Sequence, residues 1–241
     1  AVLSIQGSKA GAVNCRLALE PRHPSDKLGA KQVDRSRDVF QQCVGDVVSE
    51  ASSFGLTYRN SFTKAYPGSI HALEGMARVI SGGGTRSTRD NGTMVIKDAD
   101  HVLVLIDLQP LYQPDESGFE AMKSSLESLP GDYSKLLTPH EKIHGELFNR
   151  MRLDVGGGSD HQRPTEELLE ISTYDEPNRA LIEKVFDAGR YNIISCTGEL
   201  PPTLQGCRAG TYVPAWASDF THNGNVPSAI AANLRGNMPE L

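Results

Sequence analysis

The chain has 241 residues, of which 38% are hydrophobic and 22% are charged, and its formal net charge is −6. These values are typical of a globular protein with room for one large domain or two smaller ones. The acidic balance gives no electrostatic basis for binding nucleic acid or an anionic membrane, and no apolar run is long enough to span a bilayer.

The first half of the chain is predicted to form β-strands. Residues 13–19 alternate apolar and polar side chains, and residues 56–64 and 70–80 favour extended structure. Residues 93–97 and 101–108 complete the set, the latter containing the run Val-Leu-Val-Leu-Ile. An almost unbroken apolar run of this kind is expected of a strand that is covered on both faces.

Turn signals separate these strands. The segment Gly82-Gly83-Gly84 lacks the lysine and the strand-to-helix context of a phosphate-binding loop, so we predict a turn there. The segment Asp90-Asn91-Gly92 predicts a hairpin, because Asn-Gly tolerates positive φ. Residues 38–48 have an ambiguous period that fits either a short helix or a loop.

The period becomes helical after Phe119, and Asp132 follows a Pro-Gly break as a candidate N-cap. A further helix is predicted to start with Thr138 as its cap and Pro139 in its first turn, and to run to about Met151. Strands followed by helices predict an α+β fold with segregated elements, and not alternating βαβ units.

Three more helical segments and a joint are predicted further along the chain. Residues 153–158 end in three glycines and form a flexible joint, and a short helix starts at Thr165. Residues 178–194 form an amphipathic helix, and residues 229–234 form one or two further turns. The predicted apolar face of the long helix consists of Leu181, Val185, Ala188, Tyr191 and Ile194.

A possible zinc site lies in the predicted helix that starts at Thr138. His140, Glu141 and His144 fit the H-E-x-x-H pattern, in which two imidazoles bind one ion and the acid activates its water. The downstream extension with a third histidine is missing. A third ligand would come from Glu166, Glu167 or Glu170. The alternative is structural, with Glu141 in a capping box and both histidines on a solvated or interdomain face.

The four cysteines are widely spaced and match no zinc-ribbon or redox pattern. They are Cys15, Cys43, Cys196 and Cys207. A small buried apolar side chain is the expected role of each. Pairing of Cys196 with Cys207, in an oxidising compartment, stays open.

Residues 195–225 form a long segment that is rich in Gly, Pro, Asn and Thr but contains two aromatic residues, Trp216 and Phe220. Loops of this length are usually functional or disordered, and the aromatic residues argue against disorder. Its motifs are Leu-Pro-Pro-Thr-Leu-Gln-Gly at residues 200–206 and Pro-Ala-Trp-Ala-Ser-Asp-Phe-Thr-His-Asn-Gly-Asn at residues 214–225.

These motifs resemble the start of the catalytic domain of family 95 glycoside hydrolases, typified by 1,2-α-L-fucosidases. Residues 147–157 resemble the helical linker of that family, and the strands after Gly55 resemble the end of its β-sandwich. The resemblance implies a β-sandwich portion at residues 1–117, a helical linker at 118–158, and the N-terminal part of an (α/α)6 catalytic barrel at 159–241.

The resemblance also implies a site and a mechanism. An inverting glycosidase places a general acid opposite an attacking water. In this family two asparagine side chains hold that water, and they correspond to Asn223 and Asn225. Two residues apart in an extended segment, they are expected to project to the same side. Trp216, Gln205, Asp219 and His222 are candidate substrate-binding residues. No metal and no cofactor is implied.

The family's general acid and activating Asp have no matching segment here, and the pattern after Asn225 also departs from the family's. We therefore expect a fragment of a secreted or periplasmic enzyme that removes terminal α-L-fucosyl or related L-sugar residues from glycans. Its partners would be the glycan and the remainder of the same enzyme chain. The alternatives are a non-catalytic carbohydrate-binding protein and the zinc-dependent hydrolase described above.

Overall fold

The computed structural model describes residues 1–21, 30–64, 66–113, 116–198, 200–206 and 213–241. They divide into two compact units, Ala1–Leu137 and Thr138–Leu241. Strands dominate the first unit and helices make up the regular structure of the second. The predicted α+β class, with strands before helices, is therefore confirmed.

The first unit contains two antiparallel sheets. The strands are β1 (Val2–Gln6), β2 (Val13–Leu17), β3 (Val44–Ala51), β4 (Gly55–Phe62), β5 (Ala72–Gly82), β6 (Thr85–Thr88), β7 (Met94–Ala99) and β8 (His101–Leu111). One sheet has the order β1-β8-β5-β4-β3 and the other has the order β2-β7-β6. An apolar core packs between the two sheets, which is the arrangement of a β-sandwich. It contains residues of β2 and β7 from one sheet and of β4, β5 and β8 from the other.

The central strand β8 is covered on both faces, as its apolar run predicts. Val102 and Val104 belong to the core between the two sheets. Leu103 and Leu105 point to the opposite face, where they pack with Met122 and other residues of a helix. That helix is α2 (Phe119–Ser128).

Three segments of the first unit differ from the sequence-based expectations. Residues 38–48, which fitted a helix or a loop, divide between helix α1 (Ala30–Cys43) and strand β3. Strands β1 and β6 were not predicted, because β6 is short, polar and fully exposed and β1 lacks regular alternation. The predicted turns are confirmed: Gly83 and Gly84 have positive φ before β6, and Gly92 has positive φ in the β6–β7 hairpin.

Helix α3 (Tyr133–Asn149) begins directly after Asp132, the first of the two predicted starts, and continues through the second at Thr138. The Asp132 carboxylate accepts a hydrogen bond from the Ser134 amide at 2.8 Å, which confirms Asp132 as a cap. The predicted start at Thr138 is wrong, and Pro139 lies inside the helix. The early start is stabilised by Asp132 and by Leu136, which packs against the apolar cluster under α2.

The second unit continues from α3 with a 3₁₀ turn (Gly158–Gln162), α4 (Thr165–Ile171), α5 (Arg179–Cys196), a 3₁₀ turn (Ala215–Ser218) and α6 (Asn225–Ile230). Asn178 caps α5 by accepting a hydrogen bond from the Leu181 amide at 3.1 Å. The predicted short helix at residues 229–234 is instead α6, which ends at Ile230. Among the described residues, the helices are too short or too polar to span a bilayer.

The buried face of α5 is not the predicted one. Ala180, Glu183 and Arg190 are its buried residues, whereas Val185 and Tyr191 of the predicted apolar face are 63% and 52% exposed. The face that carries two charged residues is therefore the one packed inside this unit. The partners of those charges, described below, explain why it is buried.

Candidate functional site

The candidate site is built from two loop segments of the second unit, residues 200–206 and 213–224. Their backbones are joined where the Leu204 amide donates to the Asp219 carbonyl at 3.0 Å. The Thr203 and Ser218 hydroxyl oxygens lie 3.0 Å apart. Gln205 donates from Nε2 to the Ala215 carbonyl at 3.2 Å. Gln205 is thus placed beside the Trp216 segment.

The Gln205 side chain is only half satisfied. Its Oε1 atom is buried and has no hydrogen-bond partner among the described residues. A buried amide oxygen without a donor is destabilising by about 1–3 kcal/mol. A ligand or water that donates a hydrogen bond to this oxygen would remove that cost.

The turn that carries Trp216 has a strained backbone. Trp216, Ala217 and Ser218 have φ values of 47°, 55° and 55°, in the left-handed region that side chains with a Cβ disfavour. Each such residue costs about 1–2 kcal/mol. The Trp216 side chain is 78% exposed, so this geometry presents a large aromatic surface to solvent and does not bury it in a core.

Asp219 stabilises the part of the loop that leads into α6. Its Oδ1 atom accepts a hydrogen bond from the Thr221 hydroxyl two residues later. The Thr221 carbonyl in turn accepts from the Val226 amide at 3.0 Å. Asp219 therefore orients the approach to α6, which is the bracing role that short Asp side chains commonly have in turns.

Asn223 and Asn225 lie at the start of α6. Asn223 is in the turn before the helix, Asn225 is the first helical residue, and His222 precedes both. All three residues are exposed. The expectation of an extended segment here is wrong, because a turn at residues 222–224 leads directly into the helix. The argument from spacing that the two amides project to the same side therefore no longer holds.

The buried carboxylate of Glu183 holds residues 155–161, the segment before α4, through hydrogen bonds. Glu183 is 4% exposed, and its Oε1 accepts from the Val155 amide at 2.6 Å and the Gly157 amide at 3.1 Å. Its Oε2 atom is hydrogen-bonded to His161 Nε2. Gly157 is required for this approach, since a Cβ there would lie 2.7 Å from the Ala180 Cα.

These contacts lower the pKa of Glu183 below its ordinary value of 4.5, chiefly through the Val155 amide. A group with a lowered folded-state pKa stabilises the fold above its ordinary pKa, and the stabilisation is lost as pH falls through the folded-state value. We expect the second unit to lose stability as pH falls below about 4.5, and Glu183→Gln to flatten that acid dependence.

Hydrogen exchange of residues 153–162 between pH 3 and pH 6 measures this effect. The pKa of Glu146 is lowered chiefly by Arg150, and that of Glu240 by a backbone hydrogen bond and then by Arg150. Both residues stay in both proteins and cancel in the comparison. Glu167→Gln, at an exposed position of α4, is the matched control. Equal acid dependence of the Glu183→Gln protein and the wild type would contradict the assignment.

Two arginines hold the end of α3, and sequence reasoning missed both. Arg190 is 3% exposed and donates to the carbonyls of Leu147, Phe148 and Gly236. Arg150 forms a two-pronged ion pair with Glu146 and a further one with Glu240. For Arg190 the sequence does contain a signal. Glu183 and Arg190 are two helical turns apart, on one face of α5.

The zinc hypothesis finds no support in the geometry. His140 and His144 lie on one side of α3, with ring centroids 5.7 Å apart. The His144 ring also packs against Phe148 and Tyr191, with centroids 6.1 and 5.2 Å away. Within the described residues no group of three His, Cys, Asp or Glu side chains is arranged to hold a metal ion. Glu166, Glu167 and Glu170 therefore supply no third ligand.

The described cysteines are less buried than expected. Cys15, Cys43 and Cys196 are partly buried and form no disulfide among themselves. Burial raises the pKa of the Cys15 thiol. Cys207 lies outside the described residues, so its pairing with Cys196 stays an open prediction.

Comparison with known proteins gives consistent matches. Residues 132–240 match the glycosyl hydrolase family 95 catalytic domain. The chain is 37% identical over 113 residues to the probable alpha-fucosidase A of Aspergillus niger, covering 44% of this chain and 14% of the relative. It is 25% identical over 178 residues to alpha-L-fucosidase 2 of Arabidopsis thaliana, covering 67% of this chain and 21% of the relative.

Proposed function

Because residues 132–240 belong to the family 95 glycosyl hydrolase catalytic domain, we propose that the chain is part of an inverting α-L-fucosidase. The complete enzyme would hydrolyse terminal α-L-fucosyl, or related L-sugar, residues of glycans. The chain spans 14% and 21% of the length of the two fucosidase relatives named above. We propose a secreted or periplasmic location for the complete enzyme.

The observation that carries this proposal is the pair of exposed amides at Asn223 and Asn225, inside the matched region. Neither side chain is hydrogen-bonded to another described residue. A free carboxamide offers both a carbonyl acceptor and an N–H donor, so it is suited to orient a water molecule. A neutral amide takes up a proton poorly, so an acidic partner must supply the basicity.

The neighbouring residues fit a sugar-binding role. The exposed Trp216 indole offers an apolar face of the kind that packs against a sugar ring. Gln205 carries a buried oxygen without a donor, which a sugar hydroxyl or a bound water would satisfy. His222 lies beside Asn223 and is exposed. Asp219, committed to Thr221, positions the loop and is not the general acid in this arrangement.

The exposed apolar residues of the second unit support a further part of the proposal, that more of the enzyme chain packs on it. Apart from Trp216, its larger exposed apolar side chains are Ile143, Leu169, Tyr174, Val185, Tyr191, Leu200 and Leu234, each at least 52% exposed. Exposed apolar surface on this scale is typical of an interface. We propose that later helices of the same catalytic domain, in the toroid implied by the resemblance, cover these residues.

A hydrolysis assay tests the proposal. An inverting site needs an acid on the side opposite the water, with about 6.5–9.5 Å between the two catalytic groups. Among the described residues of the candidate loop, Asp219 is the only acid. It already accepts a hydrogen bond from the Thr221 hydroxyl. We therefore expect the complete enzyme to release fucose from terminal α-L-fucosides and the 241-residue chain to release none.

Turnover by the 241-residue chain that Asn223→Ala abolishes would contradict the expected need for further residues. Tight glycan binding by the complete protein without any hydrolysis would favour the non-catalytic carbohydrate-binding alternative. Loss of activity with a chelator, restored by zinc, would favour the metal-dependent alternative.

A further inference from the structure

A polar cleft lies on the first unit, where the β3–β4 turn, the end of β5 and the start of β6 come together. Its volume is about 620 Å³, which is within the range of small-molecule sites. Among its lining residues are Ser53, Phe54, Arg78, Ser81, Gly84 and Arg86, and none of the residues that line it is acidic.

The two guanidinium groups of the cleft are held in place by backbone carbonyls. Arg86 donates to the carbonyls of Val79 and Ser53, and so connects β6 with the other sheet. Arg78 donates from Nη1 to the carbonyls of Leu126 and Leu129, each at 2.9 Å, at the end of α2. Fixed guanidinium groups lose little entropy when they bind an anion.

No ion pair among the described residues neutralises the positive charges of this cleft. The salt bridges formed within the described part of the chain include neither Arg78 nor Arg86. Asp100 lies beside Gly83, and its Oδ1 already accepts from the Gly11 amide at 2.8 Å. Carbonyl partners orient a guanidinium without cancelling its charge, so the two arginines outweigh the single Asp100 carboxylate and keep the cleft locally positive on a chain of net charge −6.

We propose that this cleft binds an acidic sugar residue, a hexuronate, through its carboxylate. Arg78 and Arg86 provide the planar N–H groups that match a carboxylate. The Phe54 ring provides an apolar surface for the sugar ring, and the hydroxyls of Ser53 and Ser81 bond its hydroxyl groups. The inference stands on the first unit alone and does not depend on the proposed hydrolysis.

Titration of the 241-residue chain with methyl glucuronoside, followed by amide NMR and calorimetry, tests this proposal. We expect saturable binding with shifts at the cleft residues, and at least about tenfold weaker binding of methyl glucoside, since a hydrogen bond to a charged group contributes more than one to a neutral group. Sodium acetate and sulfate should bind at least tenfold more weakly, because they lack the sugar contacts. Equal affinity for the neutral glucoside, or for acetate, would overturn the proposal.

Matched variants separate charge from folding. Ser81→Glu places a carboxylate in the cleft and should reduce glucuronoside binding by at least about tenfold, whereas Ser81→Gln, of similar size, should retain most of it. Arg86→Gln should weaken binding, and Arg89→Gln, which removes an exposed arginine outside the lining, should not. If Ser81→Gln lowers affinity as much as Ser81→Glu, or if Arg89→Gln matches Arg86→Gln, the assignment is wrong.

Discussion

Replacing Asn223 or Asn225 by alanine in the complete enzyme is expected to lower kcat by about 10²–10⁴-fold, the range found when a group that assists proton transfer is removed. Each amide is proposed to hold the attacking water in line with the anomeric carbon. Because the amides contact the water and not the sugar, KM should change little, as for an interaction made mainly in the transition state.

Steady-state kinetics on a terminal α-L-fucoside measures both parameters. Asn192→Ala is the control, since Asn192 is exposed on α5 and lies outside the candidate loop. Circular dichroism verifies that the Asn225 variant, changed at the first residue of α6, stays folded. If both alanine variants keep kcat within about threefold of wild type, well below the expected loss, the water-holding role is wrong.

The second large effect is expected from Arg190→Met. This change keeps an apolar chain of similar length but removes every hydrogen bond to the carbonyls of Leu147, Phe148 and Gly236. Leaving the buried Gly236 carbonyl and the half-buried Leu147 and Phe148 carbonyls without these donors should lower the free energy of unfolding of the second unit by about 3 kcal/mol. The guanidinium also lies 5.9 Å from the centroid of the Phe186 ring, and that contact is lost too.

Hydrogen exchange gives the readout for Arg190→Met. The amides of residues 147–149 and 232–238 should lose protection in the variant, while those of the first unit keep theirs. Arg179→Met, at an exposed arginine of the same helix, should change protection little. Unchanged protection of residues 232–238 in Arg190→Met would show that Arg190 is not needed to hold that segment.

The sequence was most informative where the signal is local or follows from burial. The apolar run in β8 predicted a strand covered on both faces, and the core between the sheets and the cluster under α2 confirm it. Asn178 was predicted to begin α5, and it caps that helix. Such features depend on neighbouring residues and on burial pattern, which can be read from the sequence.

Features that depend on distant partners were not predictable in this way. Glu183 is buried because amides 26 and 28 residues away in the chain donate to it. Backbone donors do not depend on residue type, so the sequence does not indicate them. The same holds for Arg190, whose acceptors are carbonyls. The predicted apolar face of α5 was therefore assigned from hydrophobic spacing, while buried hydrogen bonds determine the face that packs.

The candidate site shows the same limit. Its residues were identified through a resemblance in sequence, but their local geometry was inferred from spacing alone. A start signal at Thr138 and an extended segment at residues 223–225 were both reasonable from spacing. The first is displaced by the Asp132 cap and by packing of Leu136, and the second by the turn that leads into α6.

In the proposed mechanism, water held by Asn223 and Asn225 attacks the anomeric carbon directly. Proton NMR of the first product released by the complete enzyme tests it, because a single displacement inverts the anomeric configuration. We predict that β-L-fucose appears first and that the α anomer accumulates only later by mutarotation. Initial release of α-L-fucose would mean a covalent intermediate with a protein nucleophile, and would contradict the proposed role of the two amides.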